Sequence, residues 1–259
     1  MTKDVFIQRL RKFADSLACD IQAKDGSWSV KGFIDTKRDI YTISLDTKVI
    51  SKVVELYIFP RICRFAADNS LSLELTSEQN FYPDMTFRDN DGNLFAVDVK
   101  TSYRRNSTHI NGMTLGAFTG YFRNRSSAKN TVHPYSEYKA HVVLGLVYSL
   151  AENVSRETEV FRLEKLDDIR SVVKDFQFFV HEKWRIATDR PGSGNTKNIG
   201  SVSEVASLIA GNGPFATLGE DVFDDYWTNY LTYDMARKAE LAKPYYANLA
   251  EYKTFRGMT

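Results

Sequence analysis

Two short, largely apolar runs, separated by a turn-forming cluster, are the clearest pattern in this chain. Residues 81–87 and 94–100 are rich in the aromatic and β-branched side chains typical of strands, and residues 90–93 between them include a glycine suited to a tight turn. The pattern predicts an antiparallel hairpin. Because side chains alternate along a strand, Asp98 and Lys100 should project from one face while the neighbouring valines pack on the other.

Helical periodicity dominates the first 67 residues. An amphipathic helix is predicted by apolar residues at three- and four-residue spacing, namely Phe6, Leu10, Phe13, Leu17 and Ile21. A second helical pattern covers residues 47–67, and Pro60 within it predicts a kink or break. Glu55 lies in its apolar part and either lines the outside or points toward a neighbouring element. Between the two helices, residues 28–34 and 40–44 flank a turn and predict a further hairpin.

The second half alternates strands and helices. Apolar runs at residues 140–148 and 176–180 predict interior strands of the same sheet as the first hairpin. Helices are expected at residues 203–210, ending at Gly211, and at residues 223–242, ending before Pro244. The fold class is therefore mixed α/β (α+β), with a central mixed sheet flanked by helices.

Composition sets limits on the class of protein. With 259 residues, 43% of them hydrophobic, the chain can bury the core of one large domain or two small ones. No run of some 18 apolar residues predicts a membrane span, and the N-terminus lacks the pattern of a signal peptide, so the cytoplasm is the expected location. Cys19 and Cys63 fall in helical patterns and are expected to be small core residues. The four histidines show no zinc-ligand spacing.

The predicted hairpin carries candidate chemistry. Counting outward from Asp91 places Asp84 opposite Asp98, with Cβ atoms roughly 5 Å apart. Two carboxylates this close repel unless a hard cation such as Mg²⁺ binds them, and such an ion activates water and holds a phosphate. Lys100 could stabilise the developing negative charge. The alternative is that these are solvated carboxylates, because this spacing also arises by chance.

Charge is unevenly distributed although the net charge is only +1. Residues 101–136 contain no Asp or Glu, and residues 183–197 contain only Asp189, which predicts two basic surfaces suited to a polyanion. The cations in these two stretches are Arg104, Arg105, Arg123, Arg125, Lys129, Lys183, Arg185, Arg190 and Lys197. Residues 152–175 and the acidic cluster at 220–225 should face away from the polyanion. An ordinary mixed surface with segregated charges is the alternative.

The polar loop at residues 191–198 has two interpretations. It is either a flexible linker or a segment that approaches nucleic acid closely. Gly192 and Gly194 permit close backbone approach, and Asn195 and Thr196 offer short groups suited to base edges in a major groove.

These motifs together resemble the EcoRV-like type II restriction endonucleases of the PD-(D/E)xK nuclease superfamily. The similarity is carried in order, over roughly residues 40–235, by the segments at 46–49, 55–56, 79–84, 98–101, 114–116 and 192–201. It implies the restriction-endonuclease-like fold as one domain over residues 1–259, with the N-terminal part mainly for dimerisation and the remainder for catalysis and DNA binding. The first 40 residues match poorly.

The resemblance also implies roles for individual residues. Asp84, Asp98, Lys100 and Glu55 map onto the active site, and Asp84, Asp98 and Glu55 onto the metal ligands. Base-reading or other DNA contacts map onto Gln79, Thr101, Thr114, Lys129, Gly192, Ser193, Gly194, Asn195, Thr196 and Asn198. Two departures affect this transfer. Glu78 adds a carboxylate beside Gln79, and residues 123–129 form a longer segment, which leaves open whether Arg125, Ser127 or Lys129 touches the DNA backbone.

The expected function is a homodimeric, Mg²⁺-dependent endonuclease that cuts both strands of double-stranded DNA at a palindrome, with Mn²⁺ as a substitute ion. The resemblance implies the site GATATC, cut centrally to blunt ends in bent DNA. No nucleotide cofactor and no membrane partner are expected. Asp98→Ala and Lys100→Ala should abolish cleavage without unfolding the protein. A repair or junction nuclease of the same superfamily, or a non-catalytic sequence-specific DNA-binding protein, remains an alternative.

Overall fold

The strands and helices below come from a computed structural model that describes residues 1–76, 78, 80–192 and 197–258. The strands are, in chain order, β1 (Gly32–Ile34), β2 (Asp39–Thr42), β3 (Ser72–Leu75), β4 (Met85–Arg88), β5 (Leu94–Tyr103), β6 (Thr114–Ala117), β7 (Tyr138–Leu150), β8 (Val160–Arg162), β9 (Val173–Glu182), β10 (Ala187–Pro191) and β11 (Asn198–Ser201). The α-helices are α1 (Lys3–Ile21), α2 (Thr47–Asp68), α3 (Lys183–Ile186), α4 (Val205–Ala210), α5 (Glu220–Asn229), α6 (Tyr233–Lys238) and α7 (Leu249–Arg256).

A five-stranded mixed sheet in the order β3-β4-β5-β7-β9 organises the molecule. The predicted hairpin is confirmed as β4 and β5, which pair antiparallel with Met85 opposite Val97 and Arg88 opposite Leu94. Strand β7 pairs parallel with β5, and β9 pairs antiparallel with β7, so both predicted strands extend the same sheet. Strand β7 is interior as predicted, whereas β9 forms an edge of the sheet. The long strand β5 therefore lies in the middle of the sheet.

Apolar side chains pack on both faces of this sheet. On one face Phe95 and Val97 of β5 contact the buried stripes of α1 and α2. On the other face Ala96 belongs to a separate aromatic-rich core built with β6, β11, α4, α5 and α7. Alternation along β5 then assigns Asp98 and Lys100 to this second face.

Two smaller sheets lie beside the main one. The predicted N-terminal hairpin is confirmed as β1 and β2, and β8 adds a third strand to it. Strands β10, β11 and β6 form the other small sheet, in which Gly200 lies opposite Thr114 and Asn198 opposite Ala117. The polar loop thus joins β10 to β11.

A kink or break was predicted at Pro60, and helix α2 continues through that residue without a break. Proline cannot donate to the carbonyl one turn earlier, that of Leu56. Because Leu56 is exposed, water can solvate that carbonyl, which makes the lost hydrogen bond tolerable.

The prediction of one long helix at residues 223–242 is wrong. The segment is divided into α5 and α6, because Tyr230 is extended and buried and the Thr232 side chain caps α6 by accepting a hydrogen bond from the Met235 N–H. Helix α4 ends at Gly211 as predicted, in the left-handed conformation.

Cys19 and Cys63 are exposed rather than core residues, because each lies on the outer face of its helix. Within the described part of the chain, no helix is both long and apolar enough to span a membrane.

Candidate active site

The two aspartates of the hairpin lie directly across from each other. Asp84 immediately precedes β4, and the register of the hairpin aligns it with Asp98 of β5. The Asp84 backbone N–H donates to Asp98 Oδ1 at 3.2 Å, and the Val99 N–H donates to Asp84 Oδ2 at 2.9 Å. Each carboxylate is therefore oriented by backbone of the opposite strand as well as by its own rotamer.

Lys100 lies on the same face, one residue beyond Val99. Its Nζ is 3.3 Å from Asp84 Oδ2 and 3.4 Å from Asp98 Oδ2. Burial acts to lower the pKa of Lys100, but the charges of Asp98 and Asp84 outweigh it and the pKa is raised. The ammonium is thus held in its charged form.

Asp84 has a raised pKa, chiefly because of burial and then because of the charge on Asp98, with Lys100 opposing both. Two carboxylates beside one ammonium leave a net negative charge at this centre. Oxygen ligands with uncompensated negative charge fit Mg²⁺, which usually binds one or two carboxylates together with water and phosphate oxygens. Asp84 is about half exposed at 46%, so its carboxylate is reachable from solvent.

Asp98, in contrast, is buried with 5% of its surface exposed. This burial bears on the expectation that Asp98→Ala leaves the fold intact. Asp98→Ala would leave the Asp84 N–H without its acceptor, so Asp98→Asn is the better probe of chemistry alone.

An open cleft of about 660 Å³ brings these residues together with candidate DNA contacts. Its lining includes three of the four catalytic candidates, Asp84, Asp98 and Lys100, together with Thr114, Lys129 and Asn198. Ser127 also lines the cleft. Thr101 does not: its hydroxyl is hydrogen-bonded to Ser51 of α2 and so ties the end of β5 to that helix.

Glu55 projects from α2 into a second cleft of about 340 Å³, which it shares with Asp84. Its carboxylate is 2.8 Å from Lys52 Nζ. Among the residues that the structure describes, no three acidic, histidine or cysteine side chains converge as a ligand group. Glu55 therefore faces the neighbourhood of Asp84 without joining the Asp84–Asp98 pair.

Of the polar loop, Gly192 lies within the described residues and Ser193, Gly194, Asn195 and Thr196 lie outside them, as does Gln79. A Cβ at Gly192 would lie 3.0 Å from the Thr114 methyl and 3.5 Å from the Gly200 Cα. The close approach at Gly192 is thus to β6 and β11. It brings the start of the loop against a strand that lines the catalytic cleft.

The predicted basic surfaces are only partly formed. Arg125 forms an ion pair with Asp224 at 2.5 Å, so part of the acidic cluster lies beside this stretch, not away from it as predicted. Arg104 and Arg123 donate to the backbone carbonyls of Asp175 and Tyr230. Lys183 is buried, with 2% of its surface exposed.

Sequence reasoning missed an aromatic layer under the cleft. Tyr82 stacks on Tyr121 at 5.1 Å and on Tyr135 at 5.6 Å between ring centroids, and its hydroxyl is 2.7 Å from His141 Nδ1. Tyr82 adjoins the Pro-Asp motif in sequence, which was the one available signal. The other rings come from segments whose periodicity does not reveal this contact.

Comparison with known proteins matches the sequence of this chain to a family over most of its length. The family model described as restriction endonuclease EcoRV matches residues 24–257, which extends beyond the 40–235 that the motifs alone suggested. The type II restriction enzyme EcoRV of Escherichia coli is 34% identical over 231 residues, covering 88% of this chain and 91% of the relative.

Proposed function

Because this chain belongs to the EcoRV family of type II restriction endonucleases, and is therefore a site-specific DNA endonuclease, we propose that it cuts by divalent-cation-assisted hydrolysis at the Asp84–Asp98–Lys100 centre. The observation that carries this proposal is the convergence of two facing carboxylates and an ammonium on one open cleft. Asp84 and Asp98 would hold the ion, and Mg²⁺ is the ion we propose, with Mn²⁺ able to replace it.

A bound divalent ion would lower the pKa of water and offset charge on the scissile phosphate. The protein's own groups do the remaining work. The backbone N–H of Val99 keeps Asp84 turned toward Asp98, and the Asp84 N–H does the same for Asp98. Lys100, placed between the carboxylates, would donate to a phosphate oxygen or orient the attacking water once an ion shares their charge.

Glu55 has a supporting place in this proposal. It shares a cleft with Asp84 and is already paired with Lys52. We propose that Glu55 acts from the second cleft. It would become an additional carboxylate ligand of the ion when the ion or DNA displaces Lys52 from it.

DNA recognition is proposed for the cleft wall and the adjoining loop. Thr114, Lys129 and Asn198 line the cleft, and Gly192 packs against Thr114 at the start of the loop. Thr101, Gln79 and the segment at 193–196 complete the proposed contacts through the family relationship. The proposed site is GATATC, cut at its centre, by an enzyme that works in the cytoplasm.

A homodimer is proposed from the small N-terminal sheet. Apolar side chains on β1, β2 and β8 are exposed to solvent: Phe33 at 49%, Ile34 at 58%, Tyr41 at 44% and Val160 at 54%. The register places Phe33 opposite Tyr41 and Tyr41 opposite Val160, so these three side chains share one face of the sheet, whereas Ile34 lies on the other face. A group of exposed apolar side chains on one face marks an interaction site. Two-fold pairing of such subunits would match a palindromic DNA site.

Plasmid digestion tests the activity and the site together. A plasmid with one GATATC and a matched plasmid lacking it are incubated with Mg²⁺, with Mn²⁺ or with EDTA, and the product ends are sequenced. We expect blunt ends at the site with either ion and no cutting with EDTA. Discrete fragments at another sequence would overturn the proposed site, and preferential cutting of branched junctions would favour a repair nuclease.

A further inference from the structure

Lys183 is unexpectedly buried for a lysine near the candidate active site. It begins α3 directly after β9, yet only 2% of its surface is exposed. Its Nζ is 4.2 Å from the centroid of the Tyr82 ring and 5.5 Å from that of Tyr135. Across the described residues, no carboxylate lies within ion-pair distance of it. An ammonium buried against aromatic faces is stabilised by cation–π attraction instead.

The rings around Lys183 form one rigid group. The His141 ring stacks on Tyr135 with centroids 3.6 Å apart, and its Nδ1 is 2.7 Å from the Tyr82 hydroxyl. Burial, and then the charge of Lys183, holds the pKa of His141 well below its usual range, so this imidazole is neutral. The cation in this group is therefore the lysine and not the histidine.

The group adjoins the catalytic centre on two sides. Tyr82 is two residues before Asp84 in the chain. A Cβ at Gly116 would lie 3.5 Å from Lys183 Nζ and 2.9 Å from the Tyr121 hydroxyl, and Gly116 lines the catalytic cleft. A glycine in the cleft wall thus leaves room for the ammonium just behind it.

The charge of Lys183 interacts electrostatically with the carboxylates of the candidate active site. Burial lowers the pKa of Lys183 to about 8, and the charge of Asp98 opposes that lowering. Interaction through low-dielectric protein is screened less than interaction through water. An ammonium here would therefore act on Asp98 and Asp84, and on a phosphate bound in front of them.

We propose that Lys183 is a positioning residue for the cleavage reaction: its ammonium fixes the Tyr82 ring, and with it the segment that carries Asp84, and it supplies a positive charge behind the two carboxylates. This inference rests on the proposed metal-dependent activity. The charge weakens cation binding in the absence of DNA and favours the negative charge that develops on the phosphate during cleavage.

Lys183→Met separates this role from packing, because methionine preserves the length of the apolar stem and removes the charge. We expect Ca²⁺, titrated into the DNA-free protein by calorimetry, to bind the variant about threefold to tenfold more tightly. We expect single-turnover cleavage with Mg²⁺ to slow by about tenfold or more. The two effects have opposite sign. Weaker Ca²⁺ binding together with slower cleavage would indicate lost packing alone and overturn the proposal, as would no change in either quantity.

Two control variants accompany it. Lys183→Arg keeps the charge and should retain the Ca²⁺ affinity of the unsubstituted protein. Lys12→Met removes a charge from the exposed side of α1, on the opposite face of the main sheet, and should change neither measurement.

A measurement on the unsubstituted protein covers the case in which Lys183→Met does not fold. Lysine side chains labelled with ¹³C are followed by NMR, and the Lys183 signal is assigned by its absence in Lys183→Arg. Adding Ca²⁺ should shift the Lys183 titration to lower pH, because a second cation nearby disfavours the ammonium. An unchanged titration at saturating Ca²⁺ would contradict the proposal. Failure of the proposed function would appear separately, as an unsubstituted enzyme that does not cut DNA with Mg²⁺.

Discussion

The catalytic candidates are held by backbone as much as by side-chain contacts. Asp84 and Asp98 each accept a hydrogen bond from an N–H on the facing strand, and Lys100 lies within 3.4 Å of both. Groups fixed in this way need little rearrangement when a substrate arrives, which is the main requirement for electrostatic catalysis.

Lys100→Met should slow cleavage by about 10²- to 10³-fold, because it removes the donor that we propose stabilises the negative charge developing on the phosphate. Single-turnover cleavage of a short duplex at saturating enzyme measures this rate. DNA binding in Ca²⁺ should be largely retained.

Lys129→Met is the matched control for Lys100→Met, since Lys129 lines the same cleft without contacting the carboxylates. It should weaken DNA binding and reduce its salt dependence, with the rate at saturation unchanged. Equal rate losses in the two variants would argue against a specific role for Lys100.

His141 makes stability depend on pH. Burial lowers its pKa well below the unfolded value of 6.5, so below pH 6.5 the unfolded chain takes up a proton that the folded protein does not. The free energy of unfolding should therefore fall as the pH drops from about 6.5 toward 5. Its contribution is about 1.4 kcal/mol per pH unit.

Urea unfolding of His141→Gln across this pH range should show a slope smaller by about that amount. Tyr82→Phe keeps the buried imidazole and removes only its hydroxyl partner, so it should keep the slope. An identical slope in His141→Gln and the unsubstituted protein would mean that the pH dependence has another origin.

The hairpin acids were predictable at the residue scale because a short turn fixes strand register, and register fixes which side chains face each other. The buried position of Lys183 was not predictable. Its place in a basic stretch suggested a surface position, whereas its aromatic partners Tyr82 and Tyr135 lie 101 and 48 residues earlier in the chain. Contacts between segments so distant leave no local periodicity to read.

At the scale of elements, β7 supports the catalytic strand through a glycine. Gly145 lies beside Lys100 on β5 and opposite Phe179 on β9. An added Cβ at Gly145 would lie 1.9 Å from Phe179 Cζ. The ring of Phe179 therefore occupies the space above Gly145, on the face of the sheet that carries Lys100.

Gly145→Ala should destabilise the protein by about 1–3 kcal/mol, because the Phe179 ring must leave its site. Chemical denaturation measures the loss. The double variant Gly145→Ala/Phe179→Leu should recover part of it, since leucine vacates the space above the new methyl group. Additive losses in the double variant would show that the two side chains do not compete for this space.

Elements with a single dominant pattern were predicted well, and those decided by local capping were not. The stripe of α1 and the apolar runs of β7 and β9 are set by burial on a known face. Pro60 and Tyr230 show the limit. A solvated carbonyl lets α2 continue, and a threonine cap lets a new helix begin at α6.

At the scale of the whole molecule, the two faces of the main sheet differ in content. One face packs on α1 and α2, and the other carries Asp98, Lys100 and the aromatic layer. The small sheet of β1, β2 and β8 leaves apolar side chains exposed, which carries the proposal of a dimer. Charges placed in an interface of this kind are costly unless they are paired.

Phe33→Glu should shift the protein from dimer to monomer in analytical ultracentrifugation, because Phe33 shares one exposed face with Tyr41 and Val160. Cleavage of both strands in one binding event should be lost with it. Val5→Glu, a similar change at an exposed position on α1, should leave the mass unchanged. A monomeric unsubstituted protein, or a Phe33→Glu protein that stays dimeric, would contradict the proposed interface.

The strands that bear the acids and those that flank the polar loop belong to different sheets, joined along one cleft. Substitutions in the β10–β11 connection can therefore accumulate while the β4–β5 register stays intact. New target sequences could then be acquired by altering a few surface positions, without rebuilding the machinery that breaks the strand. Evolution or engineering could therefore change which DNA sequence is recognised while the residues of the candidate active site stay the same.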